Sequence, residues 1–139
     1  MLWILLVGCV PPGPLALAPL RSDDPSVIAD VVVDGSVAEG WSLEASLVLR
    51  NPSDSQRRRI DLSETALRVD GRPWEPCRHA ADSDTLRQIV LLAPGEEKAR
   101  TLKCVDVPPP RETLSLRVSA THASSGAGVA VLEYSRVDP

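Results

Sequence analysis

The sequence is poor in aromatic residues and lacks phenylalanine: Phe, Trp and Tyr together make up only 3% of its 139 residues. A hydrophobic core must therefore be built mainly from Val, Leu, Ile and Ala, with Trp41 and Trp74 as the only indoles beyond the N-terminal segment. The length suits one folded domain with a leader in front of it. A core of small aliphatic side chains is feasible at this length, and a covalent cross-link would strengthen it.

Positive charge is also in deficit, because 15 Lys and Arg residues face 19 Asp and Glu residues and the formal net charge is −4. Since phosphate backbones are bound by basic surfaces, this balance argues against nucleic acid as a partner. The only histidines, His79 and His122, stand in no recognisable catalytic or metal-binding motif. We therefore predict that the protein is not an enzyme and uses no cofactor or metal ion.

Each of two short charged clusters could be either a solvated turn or a binding site. Arg57-Arg58-Arg59 is the only basic run, and it could form a solvated turn or a loop that touches phospholipid. Asp23-Asp24 could offer oxygen ligands to calcium, but the glycine and the distal glutamate of a calcium loop are missing at the required spacing. We predict that both clusters are solvated turns.

The N-terminal 20 residues carry no charged side chain, and Leu2–Val7 is a short apolar run. A membrane-spanning helix needs about 20 apolar residues, and four prolines between residues 11 and 19 would interrupt one here. Export signals begin with a basic region, whereas only eight residues precede Cys9 and none is basic. We therefore expect translation to start upstream of Met1. The alternatives are a soluble secreted form cleaved after Ala18 and a cytoplasmic chain.

The segment Leu6-Val7-Gly8-Cys9 resembles the lipobox of bacterial lipoproteins. In that family the cysteine thiol receives a diacylglyceryl group, and a dedicated signal peptidase cuts before the cysteine. The resemblance implies a signal peptide at residues 1–8, lipid attachment at Cys9 and a Pro-rich tether over residues 9–25. Because Val10 follows the cysteine where an aspartate would retain a lipoprotein in the inner membrane, the resemblance also implies the outer membrane, with the domain facing the periplasm.

Alternation of apolar and polar residues predicts β-strands, because side chains along a strand point to opposite faces. Trp41–Arg50 and Leu114–Ala120 alternate clearly. Val27–Val33 is a more continuous apolar run, typical of a strand covered on both faces, and it could pair with Trp41–Arg50 as a hairpin. The final segment, Val129–Val137, is a candidate edge strand. Further strands are predicted at Ala66–Asp70, Arg72–Glu75, Thr85–Leu92, Lys98–Val105 and Gly128–Arg136.

Turn signals complete the fold prediction. Asp70-Gly71 predicts a two-residue hairpin turn, and Pro108-Pro109-Pro110 cannot lie in a central strand. No segment shows a convincing helical stripe. We therefore predict that residues 26–139 form a single all-β domain, an immunoglobulin-like antiparallel β-sandwich of seven to nine strands.

Three segments carry a further resemblance: Leu47-Val48-Leu49-Arg50-Asn51-Pro52, Leu67-Arg68-Val69-Asp70-Gly71 and Leu92-Ala93-Pro94-Gly95-Glu96. Together they are similar to the water-stress (WHy) domain of late-embryogenesis-abundant proteins and to other bacterial immunoglobulin-like lipoprotein domains. Those domains have a strand ending in Asn-Pro, a later strand ending in a glycine turn, and a Pro-Gly before another strand. The resemblance implies a β-sandwich, and it implies a stress-protective surface protein as one alternative function.

The sequence has only three cysteines, Cys9, Cys77 and Cys104. If Cys9 is acylated, an even pair remains in an exported domain, and such a pair favours a disulfide. Closing that loop would stabilise the fold by about 3–4 kcal/mol. Two alternatives stay open: a pair of buried free thiols, or a zinc site in which His79 joins the two cysteines, although structural zinc sites use four ligands.

The resulting functional prediction is a non-catalytic, membrane-anchored envelope protein that acts as an interaction or structural module. Its partners would be the lipid membrane, through the acyl anchor at Cys9, and another envelope protein. A strand edge that accepts a partner strand is the expected mode of contact. A periplasmic carrier of a small molecule or metal is the main alternative; it would need an apolar cavity or clustered ligands.

Overall fold

The structure is a computed structural model that describes residues 13–24, 26–80, 89–122 and 128–137. The described chain is all-β, and it contains no helix long and apolar enough to cross a membrane. Its ten strands are β1 (Leu17–Ser22), β2 (Val27–Ser36), β3 (Gly40–Arg50), β4 (Arg58–Val69), β5 (Glu75–Pro76), β6 (Arg78–His79), β7 (Ile89–Leu92), β8 (Glu97–Val105), β9 (Thr113–His122) and β10 (Val129–Arg136).

The strands form two antiparallel sheets in a sandwich, which confirms the predicted fold class. The first sheet has the order β1-β10-β9-β4-β5, and β7 also pairs with β4. The second sheet has the order β2-β3-β8-β6. The ten strands exceed the predicted seven to nine, because β1 was not foreseen and the segment around Cys77 divides into the two-residue strands β5 and β6.

The core lies between the two sheets and is almost entirely aliphatic, as the composition requires. Strands β2, β3 and β10 contribute every second side chain to it, the pattern expected of strands with one solvated face. Strand β4 departs from this pattern, because its register shifts between Asp61 and Ala66. Trp41 is 7% exposed at the border of this core. The largest fully buried side chains are Leu43, Leu47, Leu49, Ile60, Leu62, Leu92, Leu102, Leu114 and Leu116.

The hairpin of β2 and β3 forms as predicted, with Val27 opposite Leu49 and Ser36 opposite Gly40. The prediction that β2 is covered on both faces is wrong, because its burial alternates strictly from Val27 onward. Ile28 and Val32 are 46% and 45% exposed on the outer face. At the tip of the hairpin, a side chain on Gly35 would place its β-carbon 2.1 Å from the carbonyl oxygen of Gly40, so only glycine fits there.

The N- and C-terminal segments differ from the predictions. The tether was predicted to extend through residue 25, but Leu17–Ser22 forms strand β1 and pairs with β10. The segment Val129–Val137 was predicted at an edge, whereas β10 lies between β1 and β9. The alternate residues Ala130, Leu132 and Tyr134 of β10 face the core between the sheets and are buried there.

Candidate functional site

The segment before β2 contributes to both sheets. The amide groups of Gly13 and Leu15 donate hydrogen bonds to the carbonyl oxygens of Gly35 and Val33, over 3.1 and 2.8 Å. Residues 13–15 therefore add to the edge of β2, whereas the chain from Leu17 onward adds to β10 in the other sheet. Because the chain leaves β2 after Leu15, it covers only one half of that strand's edge.

The other half of the β2 edge, Val27–Val31, has no strand neighbour within the described residues. In an antiparallel pair the N–H and C=O groups of a given residue point to the same side, and this side alternates along the strand. Since Val33 points to the edge that receives Leu15, Val31 and Ala29 point to that edge as well. The amide and carbonyl groups of Val31 and the amide of Ala29 are therefore directed to an edge where another strand could use them, whereas the carbonyl of Ala29 already accepts a hydrogen bond from the Tyr134 hydroxyl.

An apolar groove of about 610 Å³ runs beside this open edge, between β2 on one side and β1 on the other. Leu20 of β1 is 58% exposed and Ile28 of β2 is 46% exposed, so the two walls are hydrophobic and accessible. Arg21 and Arg50 also line the groove, and each forms an ion pair, with Glu133 and Glu97 respectively. We refer to this feature as the edge groove.

Tyr134 lines the inner side of the edge groove and is only 3% exposed. Its hydroxyl group donates a hydrogen bond to the carbonyl oxygen of Ala29, over 2.8 Å. Burial and, to a lesser degree, the negative charge of Asp30 raise the pKa of Tyr134 to about 12. The phenol is therefore neutral at physiological pH, and it serves as a hydrogen-bond donor rather than as an acid or base.

The two cysteines of the folded domain are joined. Cys77 and Cys104 form a disulfide that closes a loop between positions 27 residues apart, the arrangement that the cysteine count favoured. Cys77 lies where the chain crosses from β5 in the first sheet to β6 in the second, so the bond fixes that crossing onto β8. The Nδ1 atom of His79 lies 3.7 Å from the Cys77 sulfur. Both sulfurs are committed to the disulfide, which leaves no thiolate there to bind zinc.

The lipid-attachment residue Cys9 lies outside the described residues. Within the described chain, no three His, Cys, Asp or Glu side chains are grouped so that they could hold a metal ion. The edge groove was not foreseen from the sequence, since β1 was assigned to the tether. Pro19 lies within this strand, and because proline is rare inside strands the sequence did not indicate one there.

The two charged clusters meet each other through Arg58 and Asp24, so the prediction of solvated turns is wrong for these two residues, whereas Arg57, Arg59 and Asp23 are exposed. Arg58 is 5% exposed and forms an ion pair with Asp24. Asp24 also accepts a hydrogen bond from the backbone amide of Ser26, and Asp23 accepts one from the amide of Val131. These contacts fix the connection between β1 and β2 at the end of the edge groove, so the acidic pair has a structural role.

The segments similar to the WHy domain have a structural explanation. Asn51 is fully buried, and its side-chain amide donates hydrogen bonds to the carbonyl oxygens of Gln56 and Leu92. Its backbone carbonyl accepts a hydrogen bond from Gly95. The Asn-Pro and Pro-Gly motifs are therefore joined at one end of the sandwich, where they connect β3, β7 and β8.

No protein family, curated protein or solved structure matches the chain. Function must therefore be inferred from the geometry of this molecule.

Proposed function

We propose that the protein is a non-catalytic, lipid-anchored module of the bacterial cell envelope that binds an extended segment of another envelope protein along strand β2. The open edge of Val27–Val31 carries this proposal. The lipobox-like segment ending at Cys9 supports the membrane anchor. β-Strand addition of this kind derives affinity from main-chain hydrogen bonds and specificity from alternate side chains.

The protein's own chain demonstrates the geometry of such an addition. Gly13 and Leu15 pair in antiparallel orientation with the far half of β2. A partner strand would continue along the same edge and use the N–H and C=O groups of Val31 next. Every second side chain of that strand would enter the edge groove against Leu20 and Tyr134, so apolar residues are expected at alternate positions of the partner.

The opposite edge of the groove is less suited to strand addition. Proteins protect exposed strand edges with proline, bulges and charged side chains. Strand β1 has all three, in Pro19, the register shift between Pro19 and Arg21, and Arg21 itself. The half of β2 at Val27–Val31 contains no proline or register shift. The partner segment therefore adds to β2 rather than to β1.

A small-molecule carrier would use the same groove, whose volume lies within the range of ligand sites, about 300–1,000 Å³. Such sites enclose most of the ligand surface, whereas Leu20 and Ile28 expose about half of their side chains to solvent. A linear segment that runs along the surface fits an open groove better than a compact ligand does.

A photo-crosslinking residue in place of Leu20, introduced into the protein in its native host, tests the proposal. We expect an adduct whose cross-link maps to an extended segment of another envelope protein. Ile28→Lys should abolish the adduct, because it places a charge in the groove. Val32→Lys is the matched control, since Val32 is equally exposed on the same face of β2 but lies next to the half covered by residues 13–15.

Each outcome bears on a separate part of the proposal. An adduct that survives Ile28→Lys, or the absence of any adduct, would rule out the edge groove as a peptide site. The intact mass of the protein from its native membrane tests the anchor independently: we expect the chain from Cys9 onward with added acyl chains. A mass without acyl groups would overturn the anchor. The edge groove would then still be tested by the cross-linking experiment alone.

A further inference from the structure

The folded domain begins much closer to Cys9 than the prolines of the N-terminal region indicate. Gly13 is already hydrogen-bonded to Gly35, and Leu15 is 6% exposed against the sandwich core. Gly13 is four residues after Cys9. Since an extended chain spans at most about 3.6 Å per residue, these four residues reach no further than about 14 Å. An acyl group on Cys9 would therefore hold Gly13 close to the bilayer surface.

We infer that one end of the sandwich lies directly on the lipid headgroups, with the β2–β3 turn as its contact point. The inference rests on the lipid anchor of the proposed function. The short connection would bring the surroundings of Gly13 to the membrane, and these include Gly35, Ser36, Gly40 and Asp106. The end of the sandwich formed by these residues is called the anchor end below.

The side chains of the anchor end suit contact with a membrane surface. Val37, at the tip of the β2–β3 turn, is 77% exposed, the most of any large hydrophobic residue described. Asp106 is neutralised in an ion pair with Arg78, over 2.7 Å. The turn itself, residues 36–39, has Glu39 as its only charged residue. Asp34, just before the turn, also lies at this end and accepts a hydrogen bond from the backbone amide of Gly35. The anchor end is therefore held by its short connection to Cys9, and it has no need of a strongly basic surface.

The opposite end of the sandwich would then project away from the membrane. Strand β3 has 11 residues between the two ends, and at about 3.3 Å per residue it spans on the order of 35 Å. The loop that contains Asp54 lies beyond this far end. Val27 lies opposite Leu49 near the far end, whereas Ser36 lies opposite Gly40 at the anchor end.

In this orientation the covered and the open half of the β2 edge lie at different distances from the membrane. Residues 13–15 occupy the half nearest the membrane, where the chain arrives from Cys9. The open half at Val27–Val31 faces the far end, out of reach of the headgroups. A partner segment could bind there while the protein is seated on the bilayer.

Contact quenching in vesicles tests the orientation. Val37→Cys and Asp54→Cys are made separately in the acylated full-length protein and labelled with the same fluorophore, with the Cys77–Cys104 disulfide kept oxidised. Both positions are exposed turns at opposite ends of the sandwich. The vesicles contain phosphatidylcholine with a nitroxide on its headgroup. We expect loss of emission from the Val37 probe and retained emission from the Asp54 probe.

A long Gly/Ser spacer inserted after Val10 is the control for the role of chain length, because such spacers are flexible and extend the reach of the anchor. The spacer should restore the emission of the Val37 probe. Equal quenching of both probes, or quenching that persists with the spacer, would overturn the proposed orientation. Neither result would contradict the lipid anchor. If the mass of the native protein lacks acyl chains, the anchor and the orientation fail together.

Discussion

Tyr134 of β10 donates a hydrogen bond to the carbonyl oxygen of Ala29 on β2, 2.8 Å away and in the other sheet. The bond connects the two sheets at the inner side of the edge groove, where the surrounding contacts are mostly apolar. It also holds the open half of β2 against the sandwich while the N–H and C=O groups of Val31 remain directed to the edge. The phenol of Tyr134 thus supports the groove from within.

The burial of this phenol predicts an unusual titration. Burial, assisted by the charge of Asp30, raises the pKa of Tyr134 from 10.0 to about 12. Since the folded state favours the protonated phenol, the stabilisation is fully present below pH 10 and is lost as the pH rises through about 12. Tyr134 is the only tyrosine, so phenolate absorbance reports it alone. A midpoint near 10 in the folded protein would contradict the burial of this phenol.

Replacement of the phenol separates the hydrogen bond from the packing. Tyr134→Phe keeps the ring but leaves the Ala29 carbonyl without this donor, so we expect the free energy of unfolding to fall by about 1–2 kcal/mol. Urea denaturation near neutral pH measures the loss. Between pH 10 and 12 the difference between the two proteins should shrink, because only the wild type has a phenol to ionise. If the difference in the free energy of unfolding stayed constant across that range, ionisation of Tyr134 would not be coupled to stability.

The disulfide predicts a second, independent contribution to stability. Removing the link between Cys77 and Cys104 enlarges the conformational freedom of the unfolded chain, and a loop of this length is worth about 3–4 kcal/mol. We expect Cys77→Ala combined with Cys104→Ala to lose about that amount in urea denaturation. The double variant should not respond to reductant, whereas the wild type should lose stability when reduced. A reductant effect that persists in the double variant would assign the loss to another cause.

The fold could be predicted where burial alone decides the residue pattern. Strand β3 alternates because one face meets the core and the other meets water, and its sequence shows this directly. Strand β2 has the same burial pattern, but its outward positions include Ile28 and Val32, so the alternation is hidden in its sequence. Of these two residues, Ile28 also forms a wall of the edge groove. Under the proposed function, the apolar side chain of Ile28 serves the partner site and at the same time hides the alternation, which is where prediction failed.

The candidate site depends on contacts that no local pattern contains. The pair of Cys77 and Cys104 could be inferred by counting, because few cysteines leave few partners. The ion pair of Arg58 with Asp24 joins positions 34 residues apart, and each residue lies in a charged cluster that is usually solvated. Trp74 makes a further contact of this kind, because the guanidinium groups of Arg68 and Arg117 lie over its ring at 4.5 and 4.8 Å from the centroid. Contacts between residues so far apart in the sequence depend on the order of the strands, and this order is known only from the structure.

Loss of the Asn51 side chain should reduce the stability of the domain strongly. Asn51→Ala would leave the carbonyl oxygens of Gln56 and Leu92 without its amide donor, and the amide of Ser53 without its acceptor. Because the site is fully buried, we expect a loss on the order of 3 kcal/mol in the free energy of unfolding. Asn51→Asp is the control of equal size: it keeps an acceptor for Ser53 but supplies no donor. Wild-type stability in both variants would show that these turns are held by other contacts.

Asp70 predicts the behaviour of the domain in acid. Burial alone would raise its pKa, but hydrogen bonds from the backbone amides of Arg111, Glu112 and Thr113 outweigh that effect and, with the positive charge of Arg72, lower the pKa below 3.8. The carboxylate therefore contributes stability above pH 3.8, and this contribution is lost as the pH falls through the lower folded-state pKa.

Two variants of Asp70 separate its charge from its backbone conformation, in which φ is +51°. Asn tolerates this left-handed conformation and keeps one acceptor, so Asp70→Asn should lose about 1 kcal/mol near neutral pH. Asp70→Ala lacks both features and should lose about 2 kcal/mol. In acid the difference between the wild type and Asp70→Asn should narrow, because protonated Asp70 then resembles the amide. Urea denaturation at neutral and acidic pH measures these differences, and an Asn variant as unstable as Ala in both conditions would show that the charge, rather than the turn conformation, fixes this corner of the sandwich.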